Sequence, residues 1–125
     1  MYVEASPKNI FKKKDYEGNI REYKRLKNLA LQIDTEAIEV DQSDYELMEL
    51  FCMFDEMLAL YNLYTDRGIA VQDFLRRKAA GEKPANSEYK DATTKQKSTA
   101  AAFSRSYNDL SVAYADYIQR RSEEA

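Results

Sequence analysis

Apolar side chains recur at alternating steps of four and three residues through the middle of the chain. The positions that keep this spacing are Leu50, Phe54, Met57, Tyr61, Tyr64, Gly68, Val71 and Leu75. Such spacing places them on one face of an α-helix. Ser43 and Glu46 can form a capping box at its start, while Gly81 and then Pro84 supply stop signals. The pattern predicts a helix that begins at Asp44 and ends at Gly81.

Gly68 lies inside this pattern and allows two interpretations. Because the phase continues unchanged to Val71 and Leu75, we expect one helix in which Gly68 lets a neighbouring helix come close. In that case Gly68→Leu should overpack the contact at a cost of about 1 to 3 kcal/mol. A rise in melting temperature for Gly68→Ala would support the continuous helix, since alanine is the better helix former. The alternative is that Gly68 is a left-handed C-cap, after which a short separate helix follows.

The same four-and-three spacing runs through the last part of the chain. Its positions are Tyr89, Thr93, Gln96, Ala100, Phe103, Tyr107, Leu110, Tyr114, Tyr117 and Arg121. Asn86 or Ser87 can cap this further helix, which we expect to continue to the end of the sequence.

An earlier helix is predicted from Ser6 and Pro7, which suit the N-cap and the first helical position. Ile20, Tyr23 and Leu26 open an apolar series at helical spacing, so the predicted helix covers residues 7 to about 33 or 40. Gly18 and the residue after it either bend this helix or separate a short extra N-terminal helix from it.

The three patterns together predict an all-α fold. Short connections between long helices favour an antiparallel, up-down-up bundle, and the sustained heptad period favours coiled-coil-like packing. With 125 residues, three Gly and two Pro, the chain suits one helical domain over residues 1–125.

The stretch from residue 48 to residue 64 is apolar almost all round the helix. Glu49, Asp55 and Glu56 make a membrane span unfavourable, so a core helix is the better interpretation. Its surplus apolar residues Met53, Leu60 and Leu63 fall on the face that carries the glutamates. We expect these three to form an interface for self-association, unless an extra N-terminal helix covers them.

Candidate chemistry is sparse. The chain has no His, which removes the commonest general base and metal ligand. Cys52, between Phe51 and Met53, suits a core or boundary position. No phosphate loop or nucleophile motif is present. The sequence therefore predicts a protein that is not an enzyme, with no cofactor and no metal site.

Charge is ordered along the chain although the net charge is only −3. Residues 7–27 hold eight Lys or Arg against three acids, whereas residues 34–66 hold ten acids and no base. An up-down-up bundle would gather the basic segments at one end. The candidate site there for a polyanion or an acidic partner comprises Lys12, Lys13, Lys14, Arg76, Arg77 and Lys78.

These features favour a non-enzymatic protein that works by protein–protein contact, as an adaptor, an assembly subunit or a small effector. An accessory binder of nucleic acid or anionic lipid through the basic end is the alternative, and a carrier of a small apolar ligand is a third. No secretory signal or transmembrane segment is recognisable. The cytoplasm is therefore the expected location, with a removed signal peptide as the alternative.

Overall fold

Three α-helices form the part of the chain that the structure describes. This structure is a computed structural model, and it describes residues 15–33, 39 and 41–124. The helices are α1 (Tyr16–Leu31), α2 (Tyr45–Ala79) and α3 (Asn86–Glu124), and the described residues contain no strand.

Helix α2 runs without interruption through Gly68. It ends where Gly81 adopts a positive φ of 94°. The N–H of Gly81 donates to the carbonyl of Lys78, and the N–H of Glu82 donates to the carbonyl of Arg77. Glycine reaches this left-handed conformation without a steric penalty, so these bonds close the helix. The continuous helix and its end at Gly81 are confirmed.

The N-terminus of α2 differs by one residue from the predicted capping box. Asp44, not Ser43, is the N-cap, and its Oδ1 accepts a hydrogen bond from the N–H of Leu47 at 3.1 Å. The hydroxyl of Ser43 instead donates to Asp41 at 2.7 Å. Both residue types are good caps; Asp44 has additional partners on α3, which the local sequence does not reveal.

Helix α1 begins later than predicted. Asp15 has non-helical backbone angles and accepts a hydrogen bond from the N–H of Gly18, which makes it the N-cap. A helix that starts at Pro7 therefore does not continue unbroken into α1. The predicted start itself, and the possible extra N-terminal helix, lie outside the described residues. Gly18 belongs to the first turn of α1, so it does not bend the helix in its middle.

The helices alternate in direction. In α1, Asn19 donates to Gln72 of α2 at 3.0 Å and Lys27 pairs with Asp66 at 2.6 Å, so the two helices run antiparallel. Contacts between α2 and α3 show the same relation. They are the ring pairs Phe74 with Tyr89 and Tyr61 with Phe103, and the ion pair of Arg77 with Glu88. The predicted all-α, antiparallel up-down-up bundle is confirmed.

Tyr23 of α1 connects all three helices. Its side chain is 6% exposed, and its ring covers Gly68 of α2. The ring meets Tyr64 edge to face, with centroids 6.1 Å apart. From α3, Gln96 Nε2 donates a hydrogen bond to the Tyr23 hydroxyl at 3.0 Å. One buried side chain therefore sets how closely the three helices approach.

Candidate functional site

Helix α1 covers only the C-terminal part of α2. The last turn of α1 lies beside Met57, Leu58 and Tyr61 of α2, and the helix ends at Leu31. From Leu58 back to Leu47, α2 extends roughly 16 Å further. Among the described residues, only α3 packs along that part.

In the part of the chain that the structure describes, an open groove lies where a longer α1 would pack. Its walls are formed by Leu47, Leu50, Phe51 and Phe54 of α2 and by Leu110, Ser111 and Tyr114 of α3. We call this set the apolar groove. Its volume is about 350 Å³, and the hydroxyls of Ser111 and Tyr114 are the polar side-chain groups among these residues. The apolar groove continues the surface that α1 occupies further along α2.

The α3 wall of the groove is free of charge over several turns. Tyr107 and Ile118 lie at helical spacing from Ser111 and Tyr114, on the same face. Tyr107, Tyr114 and Ile118 are 54%, 55% and 44% exposed. Four charged residues of this part of α3 line the opposite side of the α2–α3 contact; they are Arg105, Asp109, Asp116 and Arg120. Arg121, at the end of the helix, pairs with Asp44. The uncharged face is therefore directed to the groove and to solvent.

The predicted interface residues are not brought together into one exposed patch. Met53 is half-buried beside Ala113 and Tyr117 of α3. Leu60 is also half-buried, and it lines a second cavity together with Met53 and residues of α3. Leu63 is 39% exposed. The expected neighbours Glu46, Glu49 and Glu56 do line the same cavities as Met53. Self-association through these three residues stays a prediction.

The acidic start of α2 is held by the end of α3. Tyr117 donates a hydrogen bond to Asp44 at 2.7 Å, and Arg121 forms an ion pair with the same carboxylate. Arg120 pairs with Glu46. The hydrogen bond from Tyr117, followed by that from the Leu47 N–H, lowers the pKa of Asp44 from its ordinary value of 3.8.

These contacts predict a loss of stability in acid. A carboxylate whose pKa is lowered by folding stabilises the protein above its ordinary pKa, and this contribution is lost as pH falls from 3.8 through the folded-state pKa. Asp44→Asn keeps a capping side chain but removes the charge. We expect it to lower the melting temperature at neutral pH and to have a smaller effect below pH 3.8.

Thermal unfolding across this pH range measures the effect, with Asp55→Asn as a control for the loss of one exposed negative charge on α2. If Asp44→Asn lowered the melting temperature by the same amount at every pH, the ionised carboxylate would make no contribution to stability through these contacts.

The basic residues at the end of α2 are less available to bind a polyanion than the sequence suggests. Arg76 and Arg77 both form ion pairs with Asp73, and Arg77 also pairs with Glu88. Lys78 is exposed in the last turn of α2. The remaining candidates Lys12, Lys13 and Lys14 lie outside the described residues. Polyanion binding through this end stays a prediction.

Comparisons with known proteins assign the chain to no family. No family model, curated protein or solved structure matches the chain. Within the described ranges, no group of three or more Cys, Asp or Glu side chains is placed to hold a metal ion. In the same ranges, no helix is both long enough and apolar enough to cross a membrane.

The apolar groove was not found from the sequence. Its α2 residues Leu50 and Phe54 belong to the core pattern, and nothing local shows that α1 stops before reaching Phe51. The uncharged face of α3 was the feature of the sequence that could have indicated the groove. The prediction for Cys52 was wrong, because this side chain is exposed; it lies on the side of α2 that no other described helix covers.

Proposed function

We propose that the protein is a non-enzymatic binding module that holds a segment of a partner protein in its apolar groove. It would serve as an adaptor, an assembly subunit or a small effector. One observation carries the proposal: among the described residues, only α3 packs along roughly 16 Å of the α2 face that α1 covers further along, and the walls there are aromatic and aliphatic. Open apolar surface of this kind is typical of interaction sites.

The shape of the groove supports a protein segment as its ligand. A helix lying in the position of a longer α1 would need about eleven residues to cover this length. Its apolar positions at helical spacing would contact Phe51, Phe54 and Tyr114. A small-molecule pocket usually encloses most of its ligand, whereas Tyr114 on the groove wall is 55% exposed.

The apolar groove is a better candidate for the binding site than the basic end. Arg76 and Arg77 are already engaged by carboxylates of the same chain. A polyanion would therefore have to compete with these ion pairs.

Co-purification with matched variants tests the proposal. The groove variant Ser111→Arg/Tyr114→Arg places two charges in the α3 wall. The control Val112→Arg/Gln119→Arg adds the same charge at exposed positions on the other side of α3. We expect a partner protein to be retained by the wild type and the control and to be lost with the groove variant. Identical sets of proteins with all three would contradict the proposal.

A further inference from the structure

Buried residues are concentrated in one half of the bundle. Every buried residue of α2 that the structure describes lies between Thr65 and Phe74, except Leu50. The other buried residues in the described ranges belong to α1 or, in α3, to Thr99 alone. They lie around Tyr23, which contacts all three helices. The half of the bundle that α1 covers therefore holds nearly all of the core, and we call it the core half.

The other half is held together by far fewer buried groups. We call residues 45–56 of α2 and residues 106–121 of α3 the acidic half. No described residue of α3 beyond Thr99 is buried. Among the described residues, the pair of Tyr61 with Phe103 is the ring contact between α2 and α3 that lies nearest to this half. Regions with few buried apolar contacts open at a lower free energy than the core of a protein.

Polar contacts close the acidic half at its end. Tyr117 and Arg121 both bind the carboxylate of Asp44, and Arg120 pairs with Glu46. We call these five residues the clasp. The side chain of Asp44 is 12% exposed, but those of Arg120 and Arg121 are both 49% exposed. Because ion pairs in such contact with water are individually weak, the clasp holds the acidic half closed without locking it.

We propose that the acidic half opens as a unit while the core half stays folded, and that the clasp sets how often it opens. In the open state, α3 beyond Phe103 separates from α2. A helical segment of this length is marginal in water without tertiary contacts, so its backbone hydrogen bonds break as well. The core half keeps its buried residues throughout.

This opening would control the apolar groove. One wall of the groove belongs to α2 and the other to Leu110, Ser111 and Tyr114 of α3. The two walls stay together only while the acidic half is closed. This consequence rests on the proposed function of the groove, whereas the opening itself depends only on contacts within the bundle.

Hydrogen exchange of single backbone amides, followed by NMR on the full chain, tests the proposal. The measurement is made where closing is faster than chemical exchange, so that each rate reports the population of the open form. Val71→Ala weakens the core half, in which Val71 is 6% exposed. Because the core half is intact in both the closed and the open state, this variant destabilises both equally. It makes only complete unfolding easier.

In the wild type, we expect amides in residues 49–56 and 106–120 to be less protected from exchange than those in residues 65–74. Val71→Ala should speed exchange in residues 65–74 by about tenfold, from the loss of two buried carbon atoms. The same variant should leave exchange in the acidic half unchanged.

The clasp is tested by Arg120→Gln/Arg121→Gln, which removes its ion pairs. We expect exchange throughout the acidic half to become about three- to thirtyfold faster, by one common factor. The matched control is Lys97→Gln/Arg105→Gln. It removes the same charge from exposed positions of α3 that form no ion pair with a described residue, and it should leave exchange in the acidic half unchanged.

Four results would overturn the proposal. If Val71→Ala speeds exchange in both halves by the same factor, the bundle opens only as a whole. Equal protection of the two halves in the wild type leads to the same conclusion. Rates that rise gradually towards the end of α3 would indicate fraying of a helix terminus. A clasp variant that exchanges like its control would show that the clasp does not hold the acidic half closed. None of these results decides whether the groove binds a partner, which the co-purification experiment tests separately.

Discussion

Replacing Gly68 with alanine should destabilise the protein, even though Gly68 lies in the middle of a continuous helix. A Cβ atom at this position would be 2.4 Å from Cζ of Tyr23 and 2.5 Å from Cε1. The Tyr23 ring has little freedom to move, since it is buried and contacts Tyr64 and Gln96. Overpacking of this kind costs about 1 to 3 kcal/mol, whereas the gain in helix propensity is about 1 kcal/mol at most. Gly68→Leu should cost more than Gly68→Ala.

A double-mutant cycle with Tyr23→Leu separates these two effects. Leucine lacks the distal ring atoms that approach Gly68, so the clash is removed while the site stays apolar. In the Tyr23→Leu background, Gly68→Ala should then stabilise the protein by up to about 1 kcal/mol. The sign of the Gly68→Ala effect therefore depends on the residue at position 23, which urea unfolding of the four proteins measures. Stabilisation by Gly68→Ala in the wild-type background would show that the ring does not pack on Gly68.

Tyr23 should also make the protein sensitive to alkaline pH. Burial, with the nearby Tyr64 as a second cause, raises the pKa of Tyr23 from 10.0 to about 12. Between these values the hydroxyl ionises in the unfolded chain but stays protonated in the folded one. Stability is therefore lost as pH rises from 10 to 12. A shift of this size corresponds to about 2 to 3 kcal/mol.

Tyr23→Phe tests this dependence. At neutral pH the variant loses the hydrogen bond from Gln96 and should be less stable by about 1 kcal/mol. Above pH 10, however, its stability should fall less steeply than that of the wild type, because phenylalanine does not ionise. Tyr45→Phe is the matched control, since Tyr45 is 81% exposed. If the free energy of unfolding fell equally steeply with pH for wild type and Tyr23→Phe between pH 10 and pH 12, the Tyr23 hydroxyl would not be buried as described.

The long helices were predictable because their signals are local. The four-and-three spacing of apolar residues gives α2 and α3 their faces, and it continues through Gly68 because no residue nearby opposes the helix. Gly81 ends α2 because its left-handed backbone is favourable only for glycine. Short links between two such helices leave an antiparallel arrangement as the natural packing.

The sequence by itself thus determined the helical class, the course of α2 and α3, and the charge order. Tertiary structure decided what lies against each helix. Asp44, not Ser43, caps α2, and its carboxylate also binds Tyr117 and Arg121, which lie more than seventy residues further along the chain. The Tyr23 ring over Gly68 reverses the effect on stability that helix propensity alone predicts for Gly68→Ala. Among the described residues, the apolar groove is left uncovered because α1 ends at Leu31 while α2 extends further. Local periodicity shows which face of a helix is apolar, but only the lengths and positions of distant helices decide how much of that face is covered.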